Sequence, residues 1–202
     1  MGFYQNKVLP LLIDLAMRQR NFAAYRGRVI PAATGRVLEI GIGSGLNLPF
    51  YSNGVQHVIG LDPSPRLLSM ARRAARRSAV QFVRGSAEAV PLENGSIDTV
   101  VTTWTLCSIP DASRALGEVR RVLKSGGRLV FVEHGLAPDP KVQWWQKHLT
   151  PAWKRLGGGC HLNRAIAQLI ENSGFQFERL ETGYMRGPRP MTFMYEGSAR
   201  PR

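Results

Sequence analysis

Arg36-Val-Leu-Glu-Ile-Gly-Ile-Gly-Ser-Gly-Leu-Asn47 is the stretch that decides the fold. It reads as a buried strand over 36–41 that ends in a glycine loop and turns into a helix near 45–53. Gly41, Gly43 and Gly45 let the backbone take dihedrals that a Cβ forbids and pass close to a ligand. A helix starting there would aim its free N–H groups at that ligand. Glu39 sits at the strand end, and a second acid, Asp62, closes the next strand, His57-Val-Ile-Gly-Leu-Asp62. A carboxylate at such a tip can accept hydrogen bonds from both hydroxyls of a ribose. The pattern is that of a nucleoside-cofactor site.

The spacing narrows the nucleoside. Pyrophosphate loops use G-x-G-x-x-G. Here the run is Glu-x-Gly-x-Gly-x-Gly, with an acid two residues before the first glycine. That acid repels a pyrophosphate and attracts a cation. S-adenosyl-L-methionine carries a sulfonium and an ammonium group and no phosphate. Gln81-Phe-Val-Arg-Gly-Ser-Ala-Glu-Ala-Val-Pro91 reads as a third strand with a polar loop able to meet adenine, and Ser96-Ile-Asp-Thr-Val-Val-Thr-Thr-Trp-Thr-Leu106 as a fourth strand.

Together these four stretches resemble the class I S-adenosylmethionine-dependent methyltransferases, from about Gly35 to Phe131. The resemblance implies that Glu39, Gly41, Gly43, Gly45 and Asn47 hold the methionine part of S-adenosyl-L-methionine, Asp62 and Pro63 the ribose, and Ser86, Ala87 and Glu88 the adenine. Thr103 and Leu106, after the fourth strand, complete that set. Many family members carry aspartate where Ser86 stands, and a serine hydroxyl can still meet the adenine amino group.

Strand–helix alternation runs through the rest: strand 56–62, helix 64–77, strand 80–84, strand 97–103, helix 111–124, strand 127–133. This predicts a Rossmann-like, doubly wound α/β fold: a mostly parallel seven-stranded sheet with helices on both faces. Strands over 175–183 and 191–197 would finish the sheet, and Asn163 would cap a helix running to about Ser173. The tryptophan-rich stretch from Trp144 to Asn163 reads as irregular. The chain divides, within one domain, into a helical lid over 1–28 with its helix at 10–25, a cofactor core over 35–133 and a substrate-side segment over 134–175.

Composition bounds the setting. Two cysteines, Cys107 and Cys160, lie far apart without metal-ligand spacing, which argues against a disulfide scaffold and a zinc site and for a reducing cytoplasm. No N-terminal signal and no membrane-length apolar run is visible. The net charge is +13, from 27 Lys and Arg against 14 acids. Cations cluster at Arg72, Arg73, Arg76, Arg77 and at Arg120, Arg121, Lys124, Arg128. Such clusters on outer helices are usually solvated faces, though they would also serve peripheral contact with an anionic membrane. No aromatics interleave with them, as a nucleic-acid platform requires. The [DNS]-Pro-Pro-[aromatic] element of base-amine methyltransferases is also missing after the fourth strand, so nucleic acid is not the expected partner.

Holding a nucleophile in line with an activated methyl supplies much of the rate. A thiol then needs only a mild base, and His134, after the fifth strand, is the candidate. Leu106-Cys-Ser-Ile109, Val132-Glu-His134, the Trp145-Gln and Pro151-Ala-Trp153 spacing and Gly159-Cys-x-Leu-x-Arg164 resemble the methyltransferase-like alkyl-thiol methyltransferases and small bacterial relatives labelled phospholipid N-methyltransferases. That resemblance implies a small, partly apolar acceptor, a thiol first. The alternatives are phosphatidylethanolamine N-methylation at a membrane surface and a non-catalytic cofactor-binding module.

Overall fold

The computed structural model describes residues 4–75 and 79–202. Strands β1 (Gly35–Ile40), β2 (Val55–Asp62), β3 (Val80–Arg84), β4 (Ile97–Thr103), β5 (Leu123–His134), β6 (Phe175–Tyr184) and β7 (Phe193–Pro201) form one sheet in the order β3-β2-β1-β4-β5-β7-β6. The first five pair in parallel, and β7 runs antiparallel to both β5 and β6. This is the expected Rossmann-like α/β sheet. The helices are α1 (Leu9–Met17), α2 (Arg20–Val29), α3 (Pro65–Ala74), α4 (Ala112–Val122), α5 (Pro140–Leu156), α6 (Ile166–Asn172) and α7 (Arg189–Thr192).

Alternation along the strands sorts the core. Leu38, Ile40, Val100, Leu129 and Phe131 pack with Leu116 and Val119 of α4 and Ile166 and Ile170 of α6. Their neighbours Val37, Val101, Val130 and Val132 pack on the other face with Val29 of α2 and Leu68 of α3. The near-unbroken apolar strands follow, since both faces of a parallel sheet are covered.

The cation clusters are partly structural. Arg121 pairs with Glu118 at 2.8 Å and donates to the carbonyls of Val90 and Leu92, pinning the segment after β3. Arg72, Arg73, Arg120 and Arg121 lie in the last turns of α3 and α4, where positive charge suits the helix dipole. Arg76 and Arg77, and the end of the helix read over 64–77, lie outside the described residues.

Four local expectations are corrected. No helix forms at 45–53: Gly45 has φ +84°, Tyr51 is extended, and one 3-10 turn at Leu48–Phe50 remains. The helix expected at 10–25 is two helices, because Gln19 takes extended dihedrals between α1 and α2. The stretch read as irregular holds the 17-residue α5, with Pro151 inside it. That proline removes one helical N–H donor, and Thr150 bonds back to the Gln146 carbonyl at 2.6 Å. Asn163 does not cap α6, whose N-cap is Ala165; its amide oxygen accepts from Thr150.

Candidate active site

The strand order reverses between β1 and β4, so their carboxyl ends diverge into a crevice where open sheets bind ligands. The glycine loop follows β1 there. Gly41, Gly43 and Gly45 have φ of +71°, +57° and +84°, the left-handed region. A Cβ at Gly41 would stand 2.3 Å from Thr105 Oγ1, and one at Gly45 3.0 Å from the Leu48 side chain. At Gly43 the nearest such atom is the Gly41 carbonyl at 3.9 Å, so this side of the loop is open.

Asp62 ends β2 beside that opening. Its Oδ2 accepts from Gly43 N at 3.0 Å and its Oδ1 from Ser64 N at 2.8 Å. Each oxygen keeps a lone pair, which is what a ribose hydroxyl pair requires. Burial raises the Asp62 pKa and the two backbone donors oppose that rise. Pro63, next to it, is exposed.

Behind the loop lies a closed polar network. Glu39, 1% exposed, accepts from Asn47 Nδ2 at 2.9 Å and from the Tyr51 hydroxyl at 2.7 Å. Asn47 Nδ2 also donates to Thr103 Oγ1, and its Oδ1 accepts from Arg26 Nε at 2.9 Å. Burial pushes Glu39 up to about 7 and Arg26 down to about 10. The N-terminal segment reaches the same loop: Ser44 donates to Asp14 at 2.5 Å, and Asp14 is also paired with Arg18.

The 86–88 loop is tied to α4. Glu88 Oε1 accepts from Asp111 N at 2.7 Å, its Oε2 accepts from the Ser86 hydroxyl, and Ala87 is buried. After β4 the chain bends sharply. Trp104 has φ +50° and packs edge-on against Phe22 and Tyr25, with Arg26 over its ring. Glu133 Oε1 holds the bend by accepting from Thr105 N and Leu106 N at 3.0 and 3.1 Å. Among the described residues Glu133 Oε2 is buried with no partner, and burial first, then the Cys107 sulfur, pushes this carboxyl up to about 8. Leu106 does not face the crevice. Its side chain lies in the core, its N–H goes to Glu133 and its carbonyl accepts from Arg164.

His134 is 9% exposed, and its Nε2 lies 2.8 Å from Cys160 Sγ. Cys107, Cys160 and His134 bring their Sγ and ring-nitrogen atoms within 4.8 Å of one another. The neighbouring Cys160 thiol pushes Cys107 down, and Cys107 together with burial pushes Cys160 up. Burial disfavours the charged His134, but the Cys107 sulfur outweighs it and raises the pKa.

Sequence reasoning placed Glu39, the glycines, Asn47, Asp62 and Thr103 around one crevice, and the structure brings them together. It did not single out Arg26, named Glu133 only as following the fifth strand, and read Cys107 and Cys160 as far apart and without metal-ligand spacing, which the structure corrects. The cysteines, far apart in sequence, meet because the turns after β4 and α5 both close on the end of β5. The three resembling stretches around 106–109, 132–134 and 159–164 were the available signal, since each delivers one member of this cluster.

The comparisons agree with this geometry. Residues 38–131 match the methyltransferase domain family. The human thiol S-methyltransferase TMT1B is 35% identical over 186 residues, covering 87% of this chain and 72% of the relative. The phosphatidylethanolamine N-methyltransferase of Cereibacter sphaeroides is 35% identical over 109 residues, covering 52% of this chain and 53% of that one. A chain from the complex between the Haloferax volcanii Trm112 methyltransferase activator and a methyltransferase superposes with a TM-score of 0.76 at 18% identity, covering 98% of each chain. With the crevice, its glycine loop and its ribose-type acid in place, the chain belongs to the class I S-adenosylmethionine-dependent methyltransferases and is an enzyme of that kind.

Proposed function

We propose that this methyltransferase acts on the sulfur of a small, partly apolar thiol. The observation that carries this reading is the extent of the likeness to thiol S-methyltransferase TMT1B. It covers 87% of the chain, well beyond the 38–131 stretch that matches the methyltransferase domain family.

S-adenosyl-L-methionine would supply a methyl group activated by its sulfonium. The residues present fit it. Asp62 offers a lone pair on each oxygen, the face of Gly43 is open, and Glu39, positioned by Asn47, sets a negative field behind the loop for an ammonium once it is ionised. Gly41 and Gly45, the Ser86–Glu88 loop and Thr103 complete that cradle. Glu133 fixes the bend after β4 and so aims the acceptor side. The acceptor's proton is handled at His134 and the two sulfurs around it.

We assign residues 4–29 and α5 the role of a roof. Tyr4 donates to the Leu156 carbonyl at 3.0 Å, a Cβ on Gly158 would stand 3.2 Å from Leu9, and Asp14 holds the glycine loop. A dry roof admits a neutral thiol and makes desolvation of a nucleic-acid phosphate costly. The free thiols of Cys107 and Cys160 suit a reducing cytoplasm.

A specific observation favours a second reading. Leu11, Leu12 and Leu15 of α1 and Trp144, Trp145 and Leu156 of α5 are exposed, and the net charge is +13. These would suit peripheral contact with anionic lipid and phosphatidylethanolamine as acceptor. Among the described residues no helix is long and apolar enough to cross a membrane. Isotope-labelled S-adenosylmethionine with a panel of thiols, amines, phenols and phosphatidylethanolamine vesicles separates the two. Label in soluble thiols supports the first reading; label in vesicles with none in thiols replaces it with the second.

A further inference from the structure

We infer that Cys107, His134 and Cys160 form a binding site for one thiophilic divalent cation of the zinc class, with its fourth coordination position left for the acceptor thiol. The chain has two cysteines and four histidines. Both cysteines and one of those histidines converge within 4.8 Å from three separate segments. A cysteine serving only as a small apolar residue gains nothing from a ring nitrogen at 2.8 Å, yet Cys160 has one.

The donor set is right for the ion. Two thiolates and an imidazole are soft and borderline ligands that select zinc over magnesium or calcium. Zinc binds sulfur at about 2.3 Å and nitrogen at about 2.0–2.1 Å, so ligand atoms of a tetrahedral site stand roughly 3.5 Å apart. The His134–Cys160 pair stands at 2.8 Å and all three ligand atoms lie within 4.8 Å of one another, so a tetrahedral site asks for side-chain shifts of about an ångström. Three protein ligands with an open fourth position is the arrangement of catalytic rather than structural zinc.

The surroundings fit a second shell. The Trp153 indole N–H is buried and, among the described residues, has no hydrogen-bond partner, so it is a donor available on the segment that carries Cys160. Arg164 braces both turns that carry the cysteines: it donates to the Leu106 and Ile109 carbonyls, on either side of Cys107, and to His161 Nδ1, next to Cys160. His161 N in turn donates to the Cys107 carbonyl at 2.8 Å. Such supports hold ligands in place before the ion arrives.

Ion binding stands whatever the acceptor; its catalytic use rests on the thiol reading. An acceptor R–SH entering the fourth position forms a metal–sulfur bond and releases its proton to water, leaving a coordinated thiolate with no change in oxidation state. His134 is then a ligand, and the metal rather than the imidazole makes the thiol nucleophilic.

The test uses the full chain, stripped with chelator, with both thiols shown reduced, and titrated with Co²⁺ as a spectroscopic stand-in for zinc. One equivalent should bind with thiolate-to-cobalt charge-transfer absorption. Cys107→Ser and Cys160→Ala should each weaken that binding by more than about a hundredfold, beyond what second-shell changes cost. S-adenosylhomocysteine binding, measured by calorimetry, should survive in both variants and so report an intact fold. Failure of the reduced wild type to bind Co²⁺ with charge-transfer absorption overturns the site, and thiol turnover by such protein would show that the thiol reading survives without it. Where cobalt binds, adding a small thiol should change the ligand-field bands. Bands that stay unchanged while soluble thiols are methylated overturn the activating role.

Discussion

The two halves of the crevice differ in how completely they satisfy themselves. On the β1–β2 side, Glu39 and Asn47 are fully engaged by neighbours, and Asp62 keeps only the capacity a ribose would use. On the β4–β5 side, Trp104 Nε1, Glu133 Oε2 and Trp153 Nε1 are buried without partners among the described residues, and Trp104 holds a left-handed φ. Unpaired buried polar atoms each cost about 1–3 kcal/mol, and proteins retain them mainly where function uses them. The comparison teaches that the first half is finished before ligand arrives, whereas the second is arranged around something still to come. Changes in the first should therefore move affinity, and changes in the second should move turnover.

The harshest way to break the first half is Gly41→Val. Its φ of +71° excludes a β-branched residue, and the added Cβ meets Thr105 at 2.3 Å. Backbone strain of about 1–3 kcal/mol adds to overpacking of similar size. Thermal unfolding should show a large loss of stability, and calorimetry no S-adenosylhomocysteine binding. Gly126→Ala is the control: φ is +80°, but no other atom lies within 4 Å, so the strain comes alone. Equal losses from the two substitutions would remove packing against Thr105 from the account.

His134→Ala attacks the second half. Turnover should fall at least about a hundredfold, whether the imidazole takes the acceptor's proton itself or holds the ion that ionises the thiol. The S-adenosylhomocysteine Kd should change less than twofold. An affinity loss matching the rate loss would show that the two halves are not separable.

Asp62→Ala returns to the first half with a smaller effect. Hydrogen bonds to a charged group contribute about 1.5–3 kcal/mol each. S-adenosylhomocysteine should bind about ten- to a hundredfold more weakly, while kcat at saturating cofactor stays within a few-fold of wild type. A kcat loss at unchanged Kd would move Asp62 to the acceptor side.

The same contrast explains what could be read from the sequence. The cofactor half is nearly contiguous: Glu39 and Asp62 lie on two adjacent strands and Gly41 to Asn47 on the loop after the first, so residue spacing alone locates them. Strand apolarity, imposed by burial on both faces, made the sheet legible too. The acceptor half is assembled from residues 103–109, 133–134 and 153–164, and no local spacing announces a contact between Cys107 and Cys160. The loop after β1 misled for a related reason. Its glycines and polar residues resemble a helix start, but Ser44 and Asn47 are drawn into tertiary bonds with Asp14, Glu39 and Arg26, and the helix does not form. Likewise Pro151 and the run Gly157–Gly159 made the stretch read as irregular, whereas the proline sits within α5 and the glycines end it.

The smallest expected effect tests whether the finished half uses its charge. Burial raises Glu39 to about 7, against 4.5 in the unfolded chain. Below pH 4.5 both states are protonated and Glu39 adds nothing to the pH dependence. Between about 4.5 and 7 the folded state alone holds the proton, so the stability of the cofactor-free protein falls as pH rises, by at most about 3 kcal/mol. Above 7 that loss is complete and the contribution is flat. An ammonium bound near the loop favours the ionised carboxylate, so below pH 7 binding should expel a proton. S-adenosylhomocysteine affinity should therefore rise with pH by up to about tenfold per unit, and level off above 7. Arg26, Tyr51 and Asp62 face the same carboxylate, and Asp62 is itself raised by burial, so part of the slope belongs to Asp62. Two measurements divide it. 5′-Methylthioadenosine, which keeps the ribose and lacks the ammonium, should show only the Asp62 part. Glu39→Gln should reduce the S-adenosylhomocysteine slope to that same part. If Glu39→Gln leaves the slope intact, Glu39 braces Asn47 and Tyr51 and its charge does not reach the ligand.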